Sequence, residues 1–353
     1  MRRLRILIVH ERFPPDFGGG GEYIVLQTAR QLLANGHDVR VLVAGDPALT
    51  EFEGVPTQRL PVSRQRMLFA TQAVLEAAAD VDLIYAFTNY AVWPAWRAAR
   101  QLRKPLAIGV LALFDRAWLD MRGPWVGRLF RFAERRMLRL PAQSRIFLSQ
   151  GSLDLAAQLG LGSTVDAVAE PGVDLHLYQP GANKDCVLFS GKLDVRKGIG
   201  TLLQVAQSMP QIPFRVVGWG PQFDRLRQQA PANVEFVLYR DNPQLALEMA
   251  RARVFLFPTK IETFGLVVVE AMAAGCAVIS TAPVPFEGIR LPGDDLDAAC
   301  RALSELWADP QRCAEIGRAN HDIAQQFNWP ACAAKLERIF ASMLTAGVAV
   351  PKP

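Results

Sequence analysis

The chain has 353 residues, of which 50% are hydrophobic and 21% are charged, and its formal net charge is +5. This composition excludes a largely disordered chain, and the length favours two domains. The longest apolar run, residues 106–114, is far shorter than the roughly 18 residues of a membrane-spanning helix. The basic N-terminus has a short apolar run, and the five cysteines are dispersed without a CxxC pair. We therefore expect a cytoplasmic protein without a signal peptide, disulfide framework or zinc site.

Positive charge is concentrated in one short segment. Residues 116–139 contain seven arginines against Asp120 and Glu134, which gives the segment a charge of +5 and leaves the rest of the chain neutral. The cluster is too short to indicate general nucleic-acid binding, so no nucleic-acid partner is expected. It suits an anionic membrane surface or an acidic substrate.

Apolar runs flanked by turn residues alternate with helix-length amphipathic stretches along the chain. This alternation is typical of α/β proteins whose parallel sheets are covered on both faces. In the first half it predicts a helix over 22–35, closed by Gly36, and strands over 6–9, 39–43, 83–86, 106–113 and 145–149. The segment 170–184, which contains Pro and Gly, interrupts the pattern and is the predicted linker.

The same alternation restarts after the linker, so the chain consists of two similar α/β halves. It predicts helices over 198–208 and 266–274, and strands over 186–190, 214–217, 234–238, 254–257 and 277–280. Three helices end the chain, over about 294–308, 310–326 and 330–346, with a break at Trp329 and Pro330.

Four consecutive glycines, Gly18, Gly19, Gly20 and Gly21, follow the first predicted strand at the start of a helix. Glycine lets a ligand approach the backbone closely, and the amides at a helix start attract phosphate or carboxylate oxygens. The spacing matches neither the dinucleotide nor the P-loop fingerprint. The loop indicates an anion or sugar site, and a flexible surface loop is the alternative.

Two further segments carry charged groups that suit a phosphorylated sugar. Lys192 and Lys197 belong to one strand-to-helix turn and could neutralise a leaving diphosphate, which would make a metal ion unnecessary. A solvated basic turn is the alternative. Glu262 lies in the loop after a predicted strand, and Glu270 lies in the following helix. Their carboxylates suit the vicinal hydroxyls of a ribose or hexose, while the amides of residues 264–266 would face a phosphate.

Together these segments resemble a known family. The strings GKLDVRKG, VVGWGP and FPTKIETFGLVVVEAMAAGCAVIS occur with the glycine-rich loop in the order seen in retaining family-4-type glycosyltransferases. EPGVDLHLYQP and FNWPACAAKLERIF extend the resemblance over nearly the whole chain. It implies the GT-B fold, in which two Rossmann-like domains face each other across a cleft. The acceptor-side domain would span 1–175, with a C-terminal helix at about 330–346 packed on it, and the nucleotide-sugar domain would span 183–327.

The resemblance also implies the reaction: metal-independent, retaining transfer of a hexose from a UDP- or GDP-sugar to a hydroxyl acceptor, in polysaccharide or glycoconjugate synthesis. No cofactor and no metal site is expected. The residues implied as catalytic are Lys192, Lys197 and Glu262. The residues implied as donor-binding are Gly18, Gly19, Gly20, Gly21, Gly191, Lys192, Lys197, Gly218, Glu262, Thr263, Phe264, Gly265, Leu266 and, for the ribose, Glu270. The acceptor-side candidates are Asp115, Arg128 and Arg131.

The sequence departs from the family pattern at two places. The family usually has a His-Asp pair after a strand of the first domain, where this chain has Phe114 and Asp115, and the segment after Ser280 is short. The departures leave two alternatives open. One is a catalytically weak subunit that binds nucleotide-sugar or supports a partner glycosyltransferase, and the other is a sugar epimerase of the same fold.

Two other segments have competing interpretations. Asp80 and Asp82 form a DxD sequence, a metal-binding signature in a different glycosyltransferase fold, but they precede a strand and are better explained as a polar connection. In 125–140, a helical period predicts a core-packed face formed by Val126, Phe130, Ala133, Met137 and Leu140, with the basic residues Arg128, Arg131, Arg135 and Arg139 on other faces. A solvated helix is the preferred interpretation. Peripheral contact with anionic lipid at the inner face of the membrane is the alternative.

Overall fold

The computed structural model describes residues 2–16 and 19–345, so Gly18 lies outside the described residues. The chain divides into two compact units: unit 1 consists of Met1–Pro171 and Trp329–Pro353, and unit 2 consists of Gly172–Asn328. The domain limits predicted from the sequence, 1–175 and 183–327, fall close to these limits and stay a prediction.

Unit 1 contains a mostly parallel sheet. Its strands are β1 (Arg5–Val9), β2 (Asp38–Ala44), β3 (Glu51–Phe52), β4 (Val55–Leu60), β5 (Leu83–Phe87), β6 (Leu106–Val110), β7 (Ser144–Phe147) and β8 (Asp166–Val168). Among the described residues they form one sheet in the order β3-β4-β2-β1-β5-β6-β7-β8, in which β3 alone is antiparallel. Ile6 of β1 lies beside Val39 and Leu83. The central strands are buried on both faces, which explains their continuous apolar sequences.

The helices of unit 1 before residue 171 are α1 (Gly20–Ala34), α2 (Thr71–Ala77), α3 (Val92–Leu102), α4 (Ala117–Leu138) and α5 (Gln150–Gln158), with a 3-10 helix at Arg64–Phe69. The predicted strand over 106–113 is too long, since β6 ends at Val110 and the N–H of Leu111 donates to Thr88 Oγ1 instead of to a neighbouring strand. The predicted strand over 145–149 is also shorter, because Ser149 accepts a hydrogen bond from the Ser152 amide and caps α5.

Unit 2 contains a fully parallel sheet. Its strands are β9 (Cys186–Lys192), β10 (Phe214–Trp219), β11 (Val234–Leu238), β12 (Ala252–Phe257), β13 (Ala277–Ser280) and β14 (Gly288–Arg290), in the order β11-β10-β9-β12-β13-β14. Its helices are α6 (Ile199–Ser208), α7 (Phe223–Gln229), α8 (Asn242–Arg251), α9 (Leu266–Ala273), α10 (Leu296–Ala308) and α11 (Pro310–Ala324). Because the strands are parallel, their carboxyl ends and the loops that follow lie at one edge of the sheet.

The last helix, α12 (Trp329–Thr345), belongs to unit 1. It packs on α1, where the rings of Tyr23 and Trp329 lie 6.1 Å apart. Asn35 Nδ2 donates to Glu337 Oε1 at 2.6 Å, and His37 Nε2 lies 3.1 Å from the same oxygen. Within the described residues, no helix is both long enough and apolar enough to cross a membrane.

The core-packed face predicted for 125–140 is correct at Met137 and Leu140, which are buried, and wrong at Val126 and Ala133, which are exposed. Gly123, with φ 77°, separates two helical segments, and in the second segment Val126 and Ala133 are exposed while Gly127 and Glu134 are buried. One residue of an α-helix corresponds to a rotation of about 100°. This rotation leaves an apolar stripe, Trp125, Leu129 and Phe132, facing outward with exposed fractions of 79%, 64% and 65%.

Three contacts hold the second segment of α4 in this orientation. A Cβ on Gly127 would lie 2.4 Å from the carbonyl oxygen of Trp118, so only glycine permits this close approach. The buried Glu134 carboxylate accepts the amide hydrogens of Phe114 at 3.1 Å and Asp115 at 2.8 Å. Asp115 in turn accepts hydrogen bonds from Arg131 and Arg135. The polar inner face therefore determines which residues face outward.

Candidate functional site

The carboxyl edge of the unit 2 sheet collects most of the predicted donor-binding residues. Gly191 and Lys192 end β9, Gly218 lies opposite Gly191 on β10, and the loop after β12 carries Glu262. A Cβ on Gly218 would lie 2.6 Å from the carbonyl oxygen of Gly191, so the two strands require glycine to pack at this register. The structure therefore places these segments at one edge, as expected for a ligand site in an open α/β sheet.

Lys197 and Glu262 come from two separate motifs and contact each other directly. Lys197 Nζ donates to Glu262 Oε2 at 2.7 Å, and both side chains are largely buried, with 27% and 15% exposed. The ammonium also lies 5.7 Å from the centroid of the Phe257 ring. Lys192 ends β9 without an ion pair to any described side chain. The site thus combines one paired and one unpaired ammonium group.

The loop that contains Glu262 leads into the N-terminus of α9. Gly265 adopts φ 97° at the helix cap, and the N–H of Thr263 donates to Glu262 Oε1 at 3.1 Å. Phe264 is 2% exposed and packs on Phe327 at 5.7 Å, so its side chain anchors the loop while its amide remains at the helix start. The amides of Val268 and Val269 donate to the carbonyl oxygen of Gly265 at 2.8 and 3.3 Å. This leaves the amides of Leu266 and Val267, the first two of α9, without a backbone partner among the described residues, as is usual at the start of a helix.

Glu270 lies on α9 and is 6% exposed. Burial raises the pKa of its carboxyl group to about 7, although a hydrogen bond from Tyr178 acts in the opposite direction. Tyr178 is itself fully buried in unit 2. Sequence reasoning missed this partner, because Tyr178 lies in the segment that was interpreted only as a linker.

The glycine-rich loop of unit 1 begins α1. Gly19 has φ 156°, and a Cβ on Gly19 or Gly20 would meet no atom within 4 Å. A Cβ on Gly21 would lie 3.3 Å from Leu111 Cδ1. The start of the helix is therefore open to a ligand at Gly19 and Gly20 and closely packed at Gly21.

The acceptor-side candidates separate in the structure. Asp115 is 5% exposed, has φ 42°, and accepts hydrogen bonds from Arg131 Nε at 2.9 Å and Arg135 Nε at 2.8 Å. Burial acts to raise the pKa of Asp115, but the hydrogen bonds from the two arginines outweigh it and hold the pKa below its ordinary value. Arg128 is exposed and lies over the Trp125 ring at 5.6 Å. Asp115 and Arg131 are thus joined to each other, and Arg128 is not part of their cluster.

Asp80 and Asp82 each contact arginine. Asp80 pairs with Arg40, and Asp82 accepts the amide hydrogen of Arg5 at 2.8 Å while its carboxylate lies 3.6 Å from Arg2. These contacts match the polar connection that the sequence favours for the DxD segment.

Comparison with known proteins decides the family. Sucrose-phosphate synthase from Thermosynechococcus elongatus superposes with a TM-score of 0.84 at 22% identity, covering 98% of this chain and 100% of that chain. The Anabaena protein HepE in complex with UDP-glucose superposes with a TM-score of 0.78 at 22% identity, covering 96% and 100%. Residues 19–172 match the Glycosyl transferase 4-like domain, and residues 178–290 match Glycosyl transferases group 1. The chain is a family-4-type GT-B glycosyltransferase.

Curated relatives of this glycosyltransferase align over almost its full length. A phosphatidyl-myo-inositol mannosyltransferase from Mycolicibacterium smegmatis is 28% identical over 95% of this chain and 93% of its own. A D-inositol 3-phosphate glycosyltransferase from Mycolicibacterium paratuberculosis is 26% identical over 93% of this chain and 87% of its own. These matches confirm the family resemblance and the two-unit α/β architecture predicted from the sequence.

Proposed function

We propose that this glycosyltransferase transfers a hexose from a UDP- or GDP-sugar to a hydroxyl acceptor, with retention of configuration and without a metal ion. The observation that carries the proposal is the contact of 2.7 Å between Lys197 and Glu262, 65 residues apart in sequence, beside the N-terminus of α9. It brings together a cation for a diphosphate and a carboxylate for sugar hydroxyls. The complex of HepE with UDP-glucose and the mannosyltransferase name of one relative support the choice of donor.

Each group has a role in the proposed front-face reaction. The bond between the sugar C1 and the diphosphate oxygen breaks, the acceptor oxygen bonds to C1 on the same face, and the acceptor proton passes to the departing phosphate oxygen. Lys192, Lys197 and the first amides of α9 stabilise the negative charge that develops on the diphosphate. Glu262 binds donor hydroxyls and orients Lys197, while Glu270 binds the ribose.

A thermal-shift screen with UDP, GDP, UDP-glucose and GDP-mannose tests donor binding, because a ligand stabilises the folded chain in proportion to its affinity and concentration. Release of nucleoside diphosphate, measured with and without an excess of EDTA, tests turnover and metal independence. Binding of the nucleotide-sugar without release of nucleoside diphosphate would favour the catalytically weak subunit. Conversion of the donor sugar into its epimer would favour the epimerase. Turnover that EDTA abolishes and Mg²⁺ restores would refute the metal-independent reaction.

We propose further that this glycosyltransferase works in the cytoplasm and binds peripherally to an anionic membrane through 125–140. The apolar stripe of Trp125, Leu129 and Phe132 follows helical spacings of four and three residues, so its members share one face. Exposed arginines flank it at positions 122, 128, 136 and 139. Arg131 and Arg135, also expected to meet lipid if the segment is interfacial, are instead bound to Asp115. The apolar stripe, rather than these two arginines, therefore carries the proposed contact.

Sedimentation with vesicles tests the membrane contact. Moving the three side chains of the stripe, which are about two-thirds exposed, from water into the apolar part of the membrane would contribute on the order of 4–6 kcal/mol to the free energy of binding. Replacing all three members of the stripe with Ser should therefore abolish sedimentation with phosphatidylglycerol vesicles. Leu247→Ser removes a comparably exposed leucine, 71% exposed on α8 of unit 2, and should leave sedimentation unchanged. Failure of the parent protein to sediment at low salt would refute the contact.

A further inference from the structure

Unit 1 contains a cavity that none of the sequence-predicted site residues lines. Its volume is about 560 Å³, within the range of small-molecule sites. It lies beyond the carboxyl ends of β1, β2 and β4, and its polar lining includes Glu11, Arg12, Asp16, Ser63 and Arg64. This is the edge at which open parallel sheets bind ligands.

Both acidic side chains of the cavity already have basic partners. One oxygen of Glu11 accepts a hydrogen bond from Arg64, and the other accepts the amide hydrogen of Tyr90 at 3.2 Å. Asp16 Oδ2 lies 3.9 Å from Nη1 of Arg59, whose side chain is fully buried. The carboxylates therefore balance the charges of Arg59 and Arg64 and leave no excess negative charge in the lining.

Arg12 is the remaining cation of the lining. Its guanidinium makes no hydrogen bond or ion pair with the described residues and interacts only at longer range with Glu11 and with Glu22 of α1. Burial raises the pKa of the Glu22 carboxyl group, whereas the charge of Arg12 acts to lower it. Five N–H donors of Arg12 are thus available to a ligand in the cavity.

Arg64 adds a second cation to the lining of the cavity. Its guanidinium lies 5.8 Å from the centroid of the Tyr90 ring and is 34% exposed, so the contacts with Glu11 and Tyr90 fix its orientation while leaving part of it accessible. Two guanidinium groups in one cavity, that of Arg64 held in place by Glu11, suit a phosphate or a carboxylate, because both anions accept paired N–H donors. An uncharged polyol could occupy the cavity but would leave Arg12 without a counter-charge.

We propose that this cavity is the acceptor pocket of the glycosyltransferase and that Arg12 and Arg64 bind an anionic group of the acceptor, such as a phosphate. The inference rests on the proposed transferase function. It adds the chemical class of the acceptor: a hydroxyl compound that carries a phosphate or carboxylate group.

Titration calorimetry with glycerol 3-phosphate, glycerol and inorganic phosphate tests the inference, with the preferred nucleoside diphosphate at saturation so that donor phosphate sites are filled. We expect glycerol 3-phosphate and phosphate to bind and glycerol to bind at least tenfold more weakly. Arg12→Gln should raise the dissociation constant of glycerol 3-phosphate by about 10- to 100-fold, the loss expected for hydrogen bonds to a charged group. Because Arg12 makes no hydrogen bond or ion pair with the described residues, the variant should fold as the parent does.

Matched variants separate the pocket from general charge effects. Arg97→Gln removes an exposed arginine from α3 in the same unit and should leave binding unchanged. Arg12→Lys should recover part of the affinity. A monomeric short-chain phosphatidylglycerol distinguishes a lipid headgroup from a soluble phosphate compound. Its dissociation constant is compared with that of glycerol 3-phosphate, and the compound that binds more tightly and loses affinity in Arg12→Gln represents the preferred class of acceptor.

The outcomes distinguish this inference from the proposed function. If the nucleotide binds but neither phosphate compound does, or if Arg12→Gln binds them as tightly as the parent, the anion pocket is refuted while the donor site stands. If the phosphate compounds bind in an Arg12-dependent manner but no nucleotide does, the proposed donor is refuted while the anion pocket stands.

Discussion

Glu270→Gln is expected to stabilise the chain at neutral and alkaline pH and to weaken nucleotide binding. The side chain of Glu270 is almost completely buried, and burial raises the pKa of the carboxyl group from 4.5 to about 7. A glutamine of nearly the same shape carries no charge at any pH. The substitution therefore removes a buried charge while keeping the packing of α9.

The sign and size of the stability effect follow from the pKa. Between pH 4.5 and about 7, the folded chain retains a proton on Glu270 that the unfolded chain has lost, so stability falls as the pH rises through this range. A difference of about 2.5 pKa units at about 1.36 kcal/mol per unit corresponds to about 3 kcal/mol. The free energy of unfolding of Glu270→Gln relative to the parent should increase by about this amount between pH 4.5 and pH 8.

Urea unfolding at several pH values measures this difference. Other buried carboxyl groups with raised pKa values, such as Glu11 and Glu134, occur in both chains and cancel in the comparison. Tyr178→Phe provides a matched control: it removes a hydrogen bond that lowers the pKa of Glu270, so the pH-dependent loss of stability should extend to higher pH. A stability difference between Glu270→Gln and the parent that does not change with pH would refute the reasoning.

The affinity for the nucleoside diphosphate should change with pH in the direction opposite to the stability of the parent chain. If Glu270 accepts hydrogen bonds from the ribose as a carboxylate, the dissociation constant of the nucleoside diphosphate should fall as the pH rises through about 7. Glu270→Gln should weaken binding and flatten this pH dependence. Equal affinity of the variant and the parent for the free nucleoside diphosphate at pH 8 would contradict the assignment to the ribose.

Further predictions concern both units. Lys197→Ala should raise the dissociation constant of the nucleoside diphosphate about tenfold or more, measured by calorimetry, whereas Arg318→Ala, which removes an exposed charge from α11, should not. Gly218→Ala should destabilise the chain by about 1–3 kcal/mol in urea unfolding, because its Cβ would lie 2.6 Å from the carbonyl oxygen of Gly191. Binding to anionic vesicles should weaken as salt rises, and salt-independent sedimentation would exclude a contribution from the flanking arginines.

The sequence determined much of the fold because its strands are buried on both faces. Such strands are read as continuous apolar runs, and most of the predicted strands and helices lie within a few residues of the observed ones. The order of the glycine-rich turns and of the segment that carries Glu262 and Glu270 was sufficient to indicate the family. These are local patterns, and no knowledge of distant contacts is needed to recognise them.

Tertiary structure decided which charged groups interact. Lys197 and Glu262 are far apart in sequence, and only the parallel arrangement of β9 and β12 places their loops side by side. The raised pKa of Glu270 depends on its burial and on Tyr178, a residue of a different segment. The cavity beside Arg12 and Arg64 likewise forms only where loops after three strands meet. Pairing of this kind depends on the packed backbone, so sequence spacing alone does not specify it.

The orientation of α4 shows most clearly what sequence spacing alone does not specify. A helical period in the sequence favours Val126 and Ala133 as buried residues, since apolar side chains usually face the core. In the structure, Asp115 and Glu134 are buried, and their hydrogen bonds to arginine side chains and to backbone amides offset the cost of removing these carboxylates from water. Satisfying these buried polar groups, together with the close approach at Gly127, turns the apolar stripe outward.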